Sequence, residues 1–90
     1  MPPQRKSKPR SPDHAALAEA VELCIAEDPK MTQETVAFDG DLNPKQISSI
    51  VRGQSNPTYT TLIKLADGLH LRLGDLMTRA DALRDRRLSR

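Results

Sequence analysis

The sequence predicts an all-α domain of five short helices. Three observations carry that expectation. Apolar residues recur at helical spacing in several stretches, capping residues stand just before those stretches, and no run alternates apolar with polar residues as a half-buried strand would. The chain of 90 residues is 37% hydrophobic and 29% charged but only 2% aromatic, with Phe38, Tyr59 and no Trp, so its core must be aliphatic. An isolated domain of this length buries only about 60 to 65% of its unfolded surface, which argues against a large substrate cleft.

Residues 1–12 hold four of the seven prolines and almost no apolar side chain. Such a stretch cannot repay the entropy of ordering, so it is expected to be a flexible basic arm. The folded domain is expected over residues 13–78. In Asp13 to Asp28, the apolar residues Leu17, Ala20, Val21, Cys24 and Ile25 mark the first helix, with Asp13 as N-cap and Pro29 as the stop. Thr32 caps the second helix, Met31 can pack on Val36 as a hydrophobic staple, and the helix should end near Phe38 to Gly40.

Leu42 to Ile47 is the strongest helix start in the chain. Asn43 caps, Pro44 suits the first helical position, Gln46 completes a capping box, and Leu42 staples to Ile47. This third helix should run to about Arg52 and stop at Gly53. After a polar loop, Gln54 to Pro57, Thr58 caps a fourth helix with the stripe Leu62, Leu65, Ala66 and Leu69. Leu71, Leu73, Leu76 and Met77 predict a short fifth helix, and residues 79–90 form a charged tail that either extends it or frays.

The net charge of +2 hides a strong segregation. Arg5, Lys6, Lys8 and Arg10 give residues 1–12 a charge of +4; eight acids against Lys30 give residues 13–42 a charge of −7. Lys45, Arg52 and Lys64 give residues 43–66 a charge of +3, and six arginines against four aspartates leave residues 67–90 at +2. A polyanion would be met by the tails and the middle, not by the acidic segment.

Several classes of function find no support in the residues. The single cysteine, Cys24, rules out an internal disulfide and any multi-cysteine zinc module; its spacing with Leu17 and Val21 makes it a buried core thiol. His14, Cys24 and His70 lack the spacing of metal ligands. No Gly-rich phosphate loop, catalytic triad or zinc-protease motif is present, so neither an enzyme nor a cofactor is expected. The basic start is not followed by an apolar run, which argues against a signal peptide or membrane span and for a soluble cytoplasmic chain.

Two short helices joined by about four residues, with the small Ala37 on the first and a capped second helix, have the sequence form of a helix-turn-helix. From about Leu17 to Met77 the chain resembles the lambda-repressor, or Cro/XRE, family of DNA-binding domains. The resemblance rests on Thr32-Gln33-Glu34, Val36-Ala37, Leu42, Ile47, Ile50, Arg52-Gly53, Asn56-Pro57 and Thr61-Leu62. It implies that helices 2 and 3 form the motif and that helix 43–52 enters the major groove. With Ile47 and Ile50 turned inward, Pro44, Lys45, Gln46 and Ser49 would read bases. Gln33 would meet the DNA backbone, and Arg52, Ser55, Asn56 and Thr58 would approach phosphates.

The chain departs from the family pattern in one turn. Asp41 stands where Gly is common, and Gly40 where a bulky apolar residue is common. Gly40 is expected to take part of the strain, with Phe38 filling the apolar gap. Thr35 replaces a common capping Glu, which predicts a weaker start for helix 2.

The function implied is a sequence-specific double-stranded DNA-binding transcriptional regulator, acting as a homodimer at least on DNA, with dimer contacts at Leu73, Met77 and the region to Leu83. Two other readings keep the fold. One is an antitoxin that also binds a toxin protein; the other is a helical interaction module without DNA binding, whose acidic half meets a basic protein.

Overall fold

The first helix begins two residues earlier than expected, because Ser11 rather than Asp13 caps it. The computed structural model describes residues 9–89, which form α1 (Pro12–Glu27), α2 (Gln33–Asp39), α3 (Pro44–Val51), α4 (Tyr59–Gly68) and α5 (Leu73–Leu88), with no strand among the described residues. Ser11 is extended, and its Oγ accepts from the His14 amide at 3.2 Å. Pro12 then takes a position whose missing N–H costs nothing, and Asp13 falls in the first turn, where a carboxylate suits the helix dipole.

The core is aliphatic, as the composition requires. Val21, Val36, Ile47, Leu65 and Leu76 are the largest fully buried side chains, joined by Ala20, Cys24, Ala37, Leu42, Ile50, Ala66 and Leu69. Every helix contributes to this one cluster, so no helix can be lost without opening it. Phe38 does not take part: it is 87% exposed on α2, and no apolar gap awaits it at Gly40, where the α4 backbone leaves no room for a Cβ.

Gly40 serves a different purpose from the one its neighbour suggests. Its φ is −92°, an ordinary right-handed value, whereas Asp41 alone carries the left-handed turn at φ 55°. Gly40 is small because α2 lies against α4: an added Cβ would stand 2.2 Å from the Lys64 carbonyl oxygen. Gly68 makes the reciprocal approach, with its Cβ position 2.2 Å from the Val36 carbonyl oxygen. These two glycines let α2 and α4 touch backbone to backbone.

The three middle helices end in the same way. Asp41, Gly53 and His70 have φ of 55°, 70° and 59°. The following amides of Leu42, Gln54 and Leu71 donate to the carbonyls of Ala37, Ser49 and Ala66, at 2.7, 3.0 and 2.9 Å. This is the Schellman geometry, which satisfies carbonyls that the helix end would leave bare.

α5 is not short. It runs for 16 residues and lies along α1, with Leu76 fully buried beneath it. Arg79 reaches Glu27 at 2.9 Å, Arg87 reaches Glu19 at 3.5 Å, and Arg84 binds Asp13. Three acids of the −7 segment are thereby matched by the chain's own arginines. The surface that the sequence offered to a basic partner is partly neutralised from within. Each pair is solvent-exposed, so each contributes only about 0 to 1 kcal/mol, and the apolar seam holds the helices together.

Candidate nucleic-acid interface

α3 is built to present one face. Asn43 is extended, its side chain accepts from the Lys45 amide at 2.8 Å, and Gln46 Oε1 accepts from the Asn43 amide at 2.8 Å. Both partners of the capping box are therefore engaged. Ile47 and Ile50 are each 2% exposed and fasten the inner face to the core; truncating either to Ala would cost about 2 to 5 kcal/mol. The opposite face is left with Pro44, Lys45 and Gln46 exposed and Ser49 half-buried.

The other sequence-predicted residues lie in two parts of the chain. Arg52 is the C-cap of α3, and Ser55, Asn56 and Thr58 follow in the loop to α4; Arg52, Asn56 and Thr58 are exposed and Ser55 half-buried. Gln33 stands at the first position of α2, exposed beside the Thr32 cap. Thr58 is already occupied as the α4 cap: its Oγ1 accepts from the Thr61 amide at 3.2 Å and pairs with Thr61 Oγ1 at 3.1 Å. Of the basic arm, Arg10 is exposed, whereas Arg5, Lys6 and Lys8 lie outside the described residues.

Two features of the site show in its hydrogen bonds. Thr35 does not weaken the start of α2, because its Oγ1 accepts from the Thr32 amide at 2.9 Å and completes a capping box that a Glu was expected to close. The second is a tension in Gln46. A bidentate contact to adenine uses both the oxygen and the nitrogen of the amide, and that oxygen is the one holding the Asn43 amide. Gln46 can keep both roles because a carbonyl oxygen has two acceptor sites.

Cys24 is buried, and burial pushes its thiol above the ordinary value, with the nearby Arg79 guanidinium opposing the shift. Arg79 in turn has its own proton held more firmly by the hydrogen bond to Glu27 and by the charges of Cys24 and Glu27. Among the described residues, no group of three His, Cys, Asp or Glu is placed to hold a metal ion. No helix among them is long and apolar enough to cross a membrane.

The helix-turn-helix family model, HTH_3, matches residues 27–76, which span the end of α1 through the first turn of α5 and contain the whole of α2, α3 and α4. The chain belongs to this helix-turn-helix family. The match supports a DNA-binding transcriptional regulator, and the matched span contains Gln33, Pro44, Lys45, Gln46, Ser49, Arg52, Ser55, Asn56 and Thr58, the positions at which DNA contact is expected. A search of curated proteins found no match. Among solved structures, the domain is similar to the clp gene regulator ClgR from Corynebacterium glutamicum, with a TM-score of 0.76 and 18% sequence identity over 90% of this chain and 85% of that one. At that identity the likeness establishes a shared fold.

Proposed function

We propose that this helix-turn-helix protein is a cytoplasmic transcriptional regulator that reads a specific double-stranded DNA site in the major groove with α3. The observation that carries this reading is the outer face of α3. A helix capped at its first turn and fastened by two buried isoleucines leaves Pro44, Lys45, Gln46 and Ser49, and no acid, on its outer face. Lys45 suits guanine or phosphate, Gln46 suits adenine, and Ser49 suits several bases. Gln33, Arg52, Ser55, Asn56 and Thr58 clamp the backbone and set the register. The similarity to a gene regulator supports the same reading.

The experiment is in vitro selection of duplex sites by the intact protein, followed by the triple variant Lys45→Ala, Gln46→Ala, Ser49→Ala on the selected site. Loss of a good bidentate contact costs about 1 to 3 kcal/mol, so the triple variant should lose most of its sequence preference and retain nonspecific affinity. Because Gln46 also closes the capping box, circular dichroism must show that the variant is folded. A folded triple variant with unchanged affinity and preference would overturn the assignment.

A further inference from the structure

A cleft between the start of α1 and the end of α5 gathers arginines from opposite ends of the chain. Pro9 and Arg10, Glu19 of α1, and Arg86 and Arg87 of α5 all line it. Its volume of about 760 Å³ falls within the range of ligand sites, about 300 to 1,000 Å³. Three guanidinium groups thus share the cleft with one carboxylate. Glu19 engages Arg87 at 3.5 Å, and among the described residues neither Arg10 nor Arg86 has a carboxylate partner. The helix dipole accounts for Arg86 and Arg87, which stand in the last turn of α5, but not for Arg10, which comes from the other end of the chain. Like charges held together repel until an anion joins them.

The cleft abuts the C-terminal end of α3. The Arg10 amide donates to the Gly53 carbonyl oxygen at 3.0 Å, and Pro9 is seated on Gly53, where an added Cβ would lie 2.7 Å from Pro9 Cβ. Gly53 follows Arg52, the C-cap of α3 and a residue expected at the DNA backbone. We propose that Arg10, Arg86 and Arg87 form a phosphodiester-binding site that holds one DNA backbone phosphate outside the base pairs read by α3, on the side of Arg52. This rests on the reading of DNA by α3. Each guanidinium is a permanently charged planar fork whose paired N–H groups match two phosphate oxygens. Arg87 keeps donors beyond the one given to Glu19, because a guanidinium carries five N–H groups. The last turn of α5, a helix outside the helix-turn-helix, thereby gains a part in orienting the domain on the duplex without reading sequence.

Phosphate-ethylation interference and salt-dependent affinity, on a duplex selected by the intact protein, test this. With the native protein, ethylating one phosphate beyond the Arg52 flank should block binding. The double variant Arg10→Gln, Arg86→Gln should lose that interference alone, and its log-log salt slope should flatten by about 0.9, the value of one phosphate. Base preference should stay intact. The control is Lys30→Gln, Arg72→Gln, which removes as much charge from exposed positions outside the cleft and should leave both readouts unchanged. Glu19→Gln releases Arg87 and should tighten binding more than Glu22→Gln, which removes an equal charge from an exposed position of α1 outside the cleft. A cleft variant with the interference pattern and salt slope of the control would overturn the phosphate site and leave the cleft to an acidic protein segment. An intact protein that selects no duplex would instead sink the DNA reading itself, a result distinct from a selected site bound without the flanking phosphate.

Discussion

Asp41 holds a backbone conformation that L side chains rarely adopt, at φ 55°, and it does so where Gly would cost nothing. Its compensation is slight, since the ion pair to Lys64 is 3.8 Å long and the Asp41 side chain is 96% exposed. Asp41→Gly should therefore stabilise the fold by about 0.5 to 1 kcal/mol, read as a higher urea midpoint with unchanged slope. A lower midpoint would show that the carboxylate contributes more than its geometry suggests. Cys24 gives a second residue-scale expectation. Its folded thiol pKa is raised by burial, so the folded state holds this proton more firmly than the unfolded chain. The resulting stability is fully present below the unfolded value of about 8.5 and is lost as pH rises beyond it. Urea unfolding of the native protein compared with Cys24→Ala, at neutral and at alkaline pH, should show a gap that narrows as pH rises.

At the scale of elements, the crossing of α2 and α4 decides how α3 is held, since α3 leaves α2 through the Asp41 turn. Gly→Ala inside a helix normally helps by about 0.4 to 1 kcal/mol. Gly68→Ala should instead destabilise by about 1 to 3 kcal/mol, because its Cβ would meet the Val36 carbonyl oxygen at 2.2 Å and the two helices would have to part. Gly74→Ala is the control: nothing lies within 4 Å of its Cβ position, so it should be neutral or stabilising. Thermal melting of the two variants checks the sign of each. The contrast also explains what residue order could and could not foretell. Thr32, Asn43 and Thr58 were readable as caps because a cap is made within four residues, and the burial of Ile47 and Ile50 followed from helical spacing. The true role of Gly40, the seating of Pro9 on Gly53 and the pairing of α5 arginines with α1 acids all join residues far apart in the chain. Ser11 was missed for a simpler reason: it sits beside Pro12, among prolines that look like the end of an arm.

For the whole molecule, the fold separates two electrostatic jobs. The acids Asp13, Glu19 and Glu27 are matched by Arg84, Arg87 and Arg79 along the α1 and α5 side. Residues 43–66 include no acid: Lys45 and Arg52 stand on α3 and its C-cap, while Lys64 lies on α4, 3.8 Å from Asp41. A single short helix reads only a few base pairs, which favours two copies on paired half-sites about 34 Å apart, one turn of the duplex. The apolar residues first considered for that pairing, Leu73, Met77 and Leu83, are packed in part against the chain's own core. Little of them is left to bury against a second copy, and no heptad repeat is sustained along α5 to form a coiled coil. Pairing should therefore depend on DNA, which supplies the proximity that the protein surface does not. Sedimentation of the free protein should show a monomer at micromolar concentration, and titration onto a selected duplex should saturate at two chains with a cooperative second step. Saturation at one chain per selected site would show that a single copy of α3 and the residues flanking it suffice alone.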